Sequence, residues 1–133
     1  MNETDSIKEI LATTETIAVV GFSSRRSRAG YYVPAYLKEH GYRIIPVNPH
    51  LDEGLGVEAH DSLATIDEPV DLVLVFRRPE HVPAIVDEAI AIEAAAVWMQ
   101  LGIRHQQAAE KARQAGLTVV QDACMMVEHR RWR

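Results

Sequence analysis

The run Thr16–Gly30, TIAVVGFSSRRSRAG, limits what this chain can fold into. Ile17-Ala18-Val19-Val20 is short, apolar and β-branched, the pattern of a strand buried on both faces. It stops at Gly21. A polar loop follows, carrying Ser23, Ser24, Arg25, Arg26 and Arg28, and then Tyr31–His40 reads as a helix. Strand, glycine turn, helix is the opening unit of a dinucleotide-type fold, and phosphates sit on its turn because the first N–H groups of the helix lack intrahelical acceptors.

The rest of the chain repeats that alternation. Asp5–Ala12 reads as a helix, with Ser6 and Glu9 at capping-box spacing. The first strand is Thr16–Val20. In the helix after it, Gly30 is expected as N-cap, Pro34 in the first turn, and Gly41 as the stop. The second strand is Tyr42–Val47, and Pro46 within it indicates a strand near an edge or already finishing. Residues 50–60 read as a loop. The third strand is Val70–Phe76, and Pro79 starts a helix with an apolar stripe at Val82, Ile85, Val86, Ala89 and Ile90. The fourth strand is Ala95–Met99. His105–Ala115 is an alanine-rich helix, Leu117–Val120 the fifth strand, and Asp122 opens a short terminal helix through Val127. No linker, repeat or low-complexity segment interrupts the sequence.

The expected fold is therefore α/β: one domain over residues 1–133, a Rossmann-like three-layer α/β/α sandwich on a five-stranded parallel sheet, in the order 3-2-1-4-5. Ligands bind off the carboxyl ends of such strands, at the switch point. The residues expected there are Gly21, Phe22 and Ser23; Asn48 and Pro49; Phe76, Arg77 and Arg78; and Gln100, Leu101 and Gly102.

Net charge is −5, which argues against general nucleic-acid binding, yet arginines cluster at 25/26/28, 77/78 and 130/131/133. Two of those clusters fall on the expected ligand edge. Local arginine on an acidic chain suits a small anionic ligand better than a polymer. No apolar run has the length of a membrane span, the first residues are acidic and polar, and Cys124 is the sole cysteine, so a cytoplasmic protein without disulfides is expected. The loop is not a G-x-G-x-x-G fingerprint, since Ser23 and Arg26 occupy the second and third glycine positions. The second strand ends in Asn48 instead of the acidic residue of an NAD site.

The stretches IAVVGFS, the arginine loop with YLKEHGY, IIPVNP, DLVLVFRRPEHVP, AVWMQLGI and VVQDACMMVEHRR occur in order from the first strand to the C-terminus. In this the chain resembles the small single-domain bacterial CoA-binding proteins, which share the CoA-binding domain of the succinyl-CoA synthetase α subunit. The resemblance implies coenzyme A or an acyl-CoA held across the strand ends. Gly21, Phe22 and Ser23 would line the first turn, with Arg26 or Arg28 at the phosphates. Asn48 would lie on the nucleoside side, Phe76 and Arg77 beside adenine or phosphates, and Gln100 to Gly102 towards the pantetheine. Gly30 stands where that family usually has serine, and Gln121 and Ala123 stand in place of its methionine and arginine.

No catalytic constellation is apparent. Cys124 reads first as a small packing residue. The histidines at 40, 50, 60, 81, 105 and 129 have no metal-ligand spacing, and His81 and His105 read as capping or surface residues. The larger synthetases carry their phosphorylated histidine and ATP site in further domains. The expectation is a non-catalytic CoA-binding carrier, sensor or partner module. Its rivals are a small NAD(P)-dependent oxidoreductase and a nucleotide-sensing interaction protein whose C-terminal VEHRRWR docks a partner. Neither nucleic acid nor membrane is an expected partner. A protein partner or a homo-oligomer is left open by the residues.

Overall fold

A computed structural model describes residues 2–133. Its elements are α1 (Glu3–Thr13), β1 (Thr16–Val20), α2 (Ala29–Glu39), β2 (Arg43–Val47), β3 (Glu53–Gly54), β4 (Val57–Glu58), β5 (Leu72–Val75), α3 (Val82–Ala91), β6 (Ala96–Met99), α4 (Gln106–Gln114), β7 (Thr118–Val120) and α5 (Met125–Trp132). β3 and β4 form a small antiparallel hairpin in the segment expected to be loop. No helix among the described residues is long and apolar enough to cross a membrane.

The main sheet has five parallel strands in the order β2-β1-β5-β6-β7. Alternate side chains point to opposite faces, so each strand contributes to two cores. Ala18, Val20, Val73, Val75, Val97 and Met99 pack beneath α3 and α4. Ile17, Val19, Leu72, Leu74 and Trp98 pack beneath α1, α2 and α5. The three-layer Rossmann-like sandwich is as expected.

The strand order is not. In the order of the five sheet strands along the chain, it is 2-1-3-4-5 instead of 3-2-1-4-5, and Pro46 supplies the reason. Within β2 the odd-numbered residues bond to β1: Arg43 donates to the Glu15 carbonyl at 2.8 Å, and the Val47 carbonyl accepts from Gly21 at 3.1 Å. Pro46 therefore turns its missing N–H to the outer side. A second neighbour would need that donor, so β2 must be the edge. On that side His60 alone makes an isolated bridge, donating to the Pro46 carbonyl and accepting from the Asn48 N–H, both at 2.9 Å. The third expected strand, β5, takes the free side of β1 instead. The switch point thus lies between β1 and β5, which are direct neighbours rather than strands separated by β2.

Three local readings are also corrected. The capping box of α1 is Asn2 with Asp5, one turn earlier than Ser6 and Glu9, with the Asn2 Oδ1 accepting from the Asp5 N–H at 2.9 Å. α2 starts after Arg28, which leaves Gly30 inside the first turn and Pro34 within the helix. Asp122 does not open the terminal helix: it has φ 54°, and α5 begins at Met125 and runs on to Trp132. By contrast, His105 caps as expected, its Nδ1 accepting from the Ala108 N–H at 3.1 Å.

Candidate functional site

The loop from β1 to α2 is shaped by two backbone events. Gly21 has φ 89°, and a Cβ there would lie 3.0 Å from the Arg77 Cγ and 3.1 Å from the Phe76 backbone. Only glycine combines that dihedral with that approach, which lets the ends of β1 and β5 close side by side. The second event follows from Pro34. Proline has no N–H for the carbonyl four residues back, and that carbonyl belongs to Gly30. It accepts instead from the Ser23 N–H at 3.1 Å, which folds the loop onto the start of the helix. A Cβ at position 30 would lie 2.9 Å from the Gly21 carbonyl oxygen, so a serine in this backbone would push the loop outward.

Between the loop and the ends of β2, β5 and β6 lies a cleft of about 580 Å³. Ser23 Oγ accepts from the Arg25 N–H at 3.1 Å, and the Arg28 N–H bonds the Arg25 carbonyl at 3.0 Å. This turn brings Arg25 and Arg28 to the cleft, beside Ala29 and Gly30 at the helix start. The N–H groups of those two residues have no intrahelical acceptor. The wall contains no aspartate or glutamate. Two guanidinium groups, a helix N-terminus and no carboxylate make an anion-binding cleft.

Of the residues expected at the ligand edge, Gly21, Phe22, Ser23, Arg28, Asn48, Phe76, Gln100 and Leu101 line this cleft. Three of them are engaged in holding the fold. The Phe22 side chain is 1% exposed and packs in the core against Gly54, so its contribution to the wall is chiefly backbone. Asn48 Nδ2 donates to the Phe22 carbonyl at 2.8 Å, and its Oδ1 accepts from the His50 N–H at 2.8 Å. Gln100 is buried, with Oε1 accepting from the Met125 N–H at 3.3 Å. Leu101, 67% exposed, is the open apolar lip.

Pro49 and Arg77 lie beyond Gly21, in a second hollow of about 350 Å³ that shares Gly21, Asn48 and His50 with the first. Arg26, Arg78 and Gly102 line neither. The Arg26 guanidinium turns towards the Tyr31 ring, 5.9 Å from its centroid. Arg78 precedes the 3₁₀ turn Pro79–His81. Gly102 donates to Asp122 Oδ1 at 2.7 Å. The sequence reading missed Ser24, Arg25, His50, Leu51 and Ile103 as lining residues. Arg25 belonged to a recognised cluster, but composition cannot say which of three arginines a turn will face inward.

Gly54 offers a test of how the wall is supported. An added Cβ would collide with the edge of the buried Phe22 ring. Gly54→Ala is expected to cost roughly 1–3 kcal/mol of stability by overpacking, measured by urea unfolding. An unchanged midpoint would mean that Phe22 is not wedged against the hairpin.

Comparison with known proteins identifies the architecture. Residues 15–130 match the family model described as CoA binding domain. The chain belongs to the CoA-binding domain family. Within it, the chain is 44% identical over 123 residues to the uncharacterized protein YneT of Bacillus subtilis (strain 168), covering 92% of this chain and 91% of YneT. A solved structure of a protein from Thermus thermophilus superimposes with a TM-score of 0.91 at 44% identity, over 100% of both chains. The acetate–CoA ligase [ADP-forming] of Methanocaldococcus jannaschii is 27% identical over 74 residues, 56% of this chain but only 10% of the ligase. This CoA-binding domain is thus related to one segment of a much longer ligase.

Half-buried Cys124 stands at the start of α5. No group of three or more histidine, cysteine, aspartate or glutamate side chains among the described residues could hold a metal ion.

Proposed function

We propose that this chain binds coenzyme A or an acyl-CoA in the cleft beside β1, in the cytoplasm, as a carrier, sensor or partner module that makes and breaks no thioester itself. The observation that carries the reading is the carboxylate-free cleft at the switch point, where Arg25, Arg28 and the start of α2 face one volume. That is the chemistry a diphosphate requires, and membership of the CoA-binding domain family supports CoA as its bearer. Ser23, Ser24 and His50 line the cleft, but no hydrogen bond among the described residues joins a serine hydroxyl to the His50 ring, and the Ser23 hydroxyl accepts from the Arg25 N–H.

Calorimetric titration is the test. CoA or acetyl-CoA should bind more tightly than NAD, NADH or NADP, and thioester formation or hydrolysis should stay at background. Tighter binding of NADH would favour the oxidoreductase reading. Turnover that vanishes in Cys124→Ser would make the thiol a nucleophile.

A further inference from the structure

We infer that the hollow between α1 and α5, at the amino end of the sheet, is a second binding site for a small organic anion that carries its carboxylate or phosphate on a flat apolar body. The hollow measures about 420 Å³ and is lined by Lys8, Leu11, Ala12, Tyr42, His129, Trp132 and Arg133. It lies at the opposite end of the strands from the CoA cleft and does not depend on that reading. It also gives a role to the basic, tryptophan-containing C-terminal stretch, which the first cleft leaves unused.

Its chemistry is uneven in a way that selects a ligand. Lys8 Nζ lies 4.1 Å from the centroid of the Trp132 ring, and Trp132 is 39% exposed. Arg133 Nη1 lies 3.2 Å from His40 Nε2. Neither Lys8 nor Arg133 enters a salt bridge among the described residues, and no aspartate or glutamate side chain lines the hollow. On a chain of net charge −5, the ionised side chains that line this hollow are all cationic. The floor is apolar: the Tyr42 hydroxyl is already spent donating to the Leu11 carbonyl at 2.8 Å. An anion bridging Lys8 and Arg133 would lay its apolar body on Leu11, Ala12 and the indole.

His129 reports the same imbalance. Burial first, and then the positive charges of His40 and Arg133, hold its pKa below the ordinary histidine value. The groups facing it are Tyr36 of α2 and His40 just after it, Tyr42 before β2, and Arg133 just after α5. The Tyr36 hydroxyl is 2.8 Å from His129 Nδ1. Lys8 of α1 lines the same hollow, and Arg130 covers Tyr36 at 5.0 Å. The neighbouring carboxylate, Glu128, is turned to Arg131 at 3.7 Å and to Trp132 Nε1 at 3.4 Å. An anion in the hollow favours protonated His129. Binding must therefore raise the His129 pKa, and affinity must rise as pH falls.

The probes are indole-3-carboxylate and its neutral isostere indole-3-carboxamide, followed by NMR of the His129 and Trp132 ring resonances in the whole chain. The carboxylate should give saturable shifts, raise the His129 pKa and bind about tenfold more tightly than the carboxamide. Lys8→Gln and Arg133→Gln should each weaken it severalfold and leave the CoA titration unchanged. Equal binding of the two probes, no saturable shift at millimolar probe, or shifts confined to the cleft beside β1 would each overturn the assignment.

Discussion

Replacing Arg28 by alanine is expected to weaken CoA binding by roughly ten- to a hundredfold, and replacing Arg25 should do the same, because a hydrogen bond to a charged group contributes about 1.5–3 kcal/mol. Both side chains line the cleft at the start of α2, where the first-turn amides already favour an anion. They belong to one turn, closed by the Arg28 N–H on the Arg25 carbonyl, so the double variant should lose somewhat less than the product of the two single losses. Arg26 sits between them in sequence but faces the Tyr31 ring, and Arg26→Ala should bind nearly normally. Arg77 is the discriminating case. It lines the adjoining hollow, across Gly21 from the cleft. If its partner is the 3′-phosphate, Arg77→Ala will bind CoA and dephospho-CoA alike. If it reaches the diphosphate, both ligands will weaken equally. Arg43, at the amino end of β2 and paired with Glu68 at 2.6 Å, is the remote control and should leave binding unchanged. Isothermal titration of the five single variants checks the set. Parent-like affinity in Arg25→Ala and Arg28→Ala together would mean that the phosphates lie elsewhere.

What the sequence showed of this site, and what it hid, follows from the range of each signal. The strands, the helices and the glycine turn were legible because period-two and helical patterns are local. The carboxyl-end location survived an error in strand order because β1 flanks the switch point in either arrangement. The order itself was also legible. Pro46 forbids an interior position for β2, and the sequence reading noted it as an edge signal, yet the assigned order placed that strand inside. Side-chain direction was not legible. Phe22, expected to line the first turn, fills the space over Gly54, thirty-odd positions away. Asn48, expected on the nucleoside side, is consumed by the Phe22 carbonyl and the His50 amide. Both depend on long-range packing that no window of sequence contains. The terminal helix was expected to end at Val127. It runs on to Trp132, where His129 meets Tyr36 and Tyr42, residues that only the folded sheet brings near.

Trp98→Ala should be strongly destabilising, costing about 3–5 kcal/mol out of the roughly 5–15 kcal/mol typical of a domain, although Trp98 lies in the core behind the cleft and not in its wall. Trp98 is 0% exposed, between Leu74 and Val120 on the adjoining strands. Truncation removes that packing and also orphans a carbonyl, since Trp98 Nε1 donates to the Ala123 oxygen at 2.8 Å. That bond anchors the turn from β7 to α5. In the same turn, Asp122 with φ 54° accepts from Gly102 at 2.7 Å, and the Met125 N–H reaches Gln100 in the cleft wall at 3.3 Å. Trp98→Phe separates the two effects. It keeps most of the ring, loses the donor, and should cost roughly 1–3 kcal/mol, the penalty of leaving the half-buried Ala123 carbonyl without its donor. Because the turn supports Gln100 and the neighbouring Leu101, the phenylalanine variant should also bind CoA more weakly while remaining folded. Trp132, partly exposed on α5, is the comparison: Trp132→Ala should cost under about 1 kcal/mol, as surface substitutions do. Urea unfolding followed by far-UV circular dichroism reads all three. If Trp98→Ala is no less stable than Trp132→Ala, the indole does not hold the turn and the cleft wall is supported by other contacts.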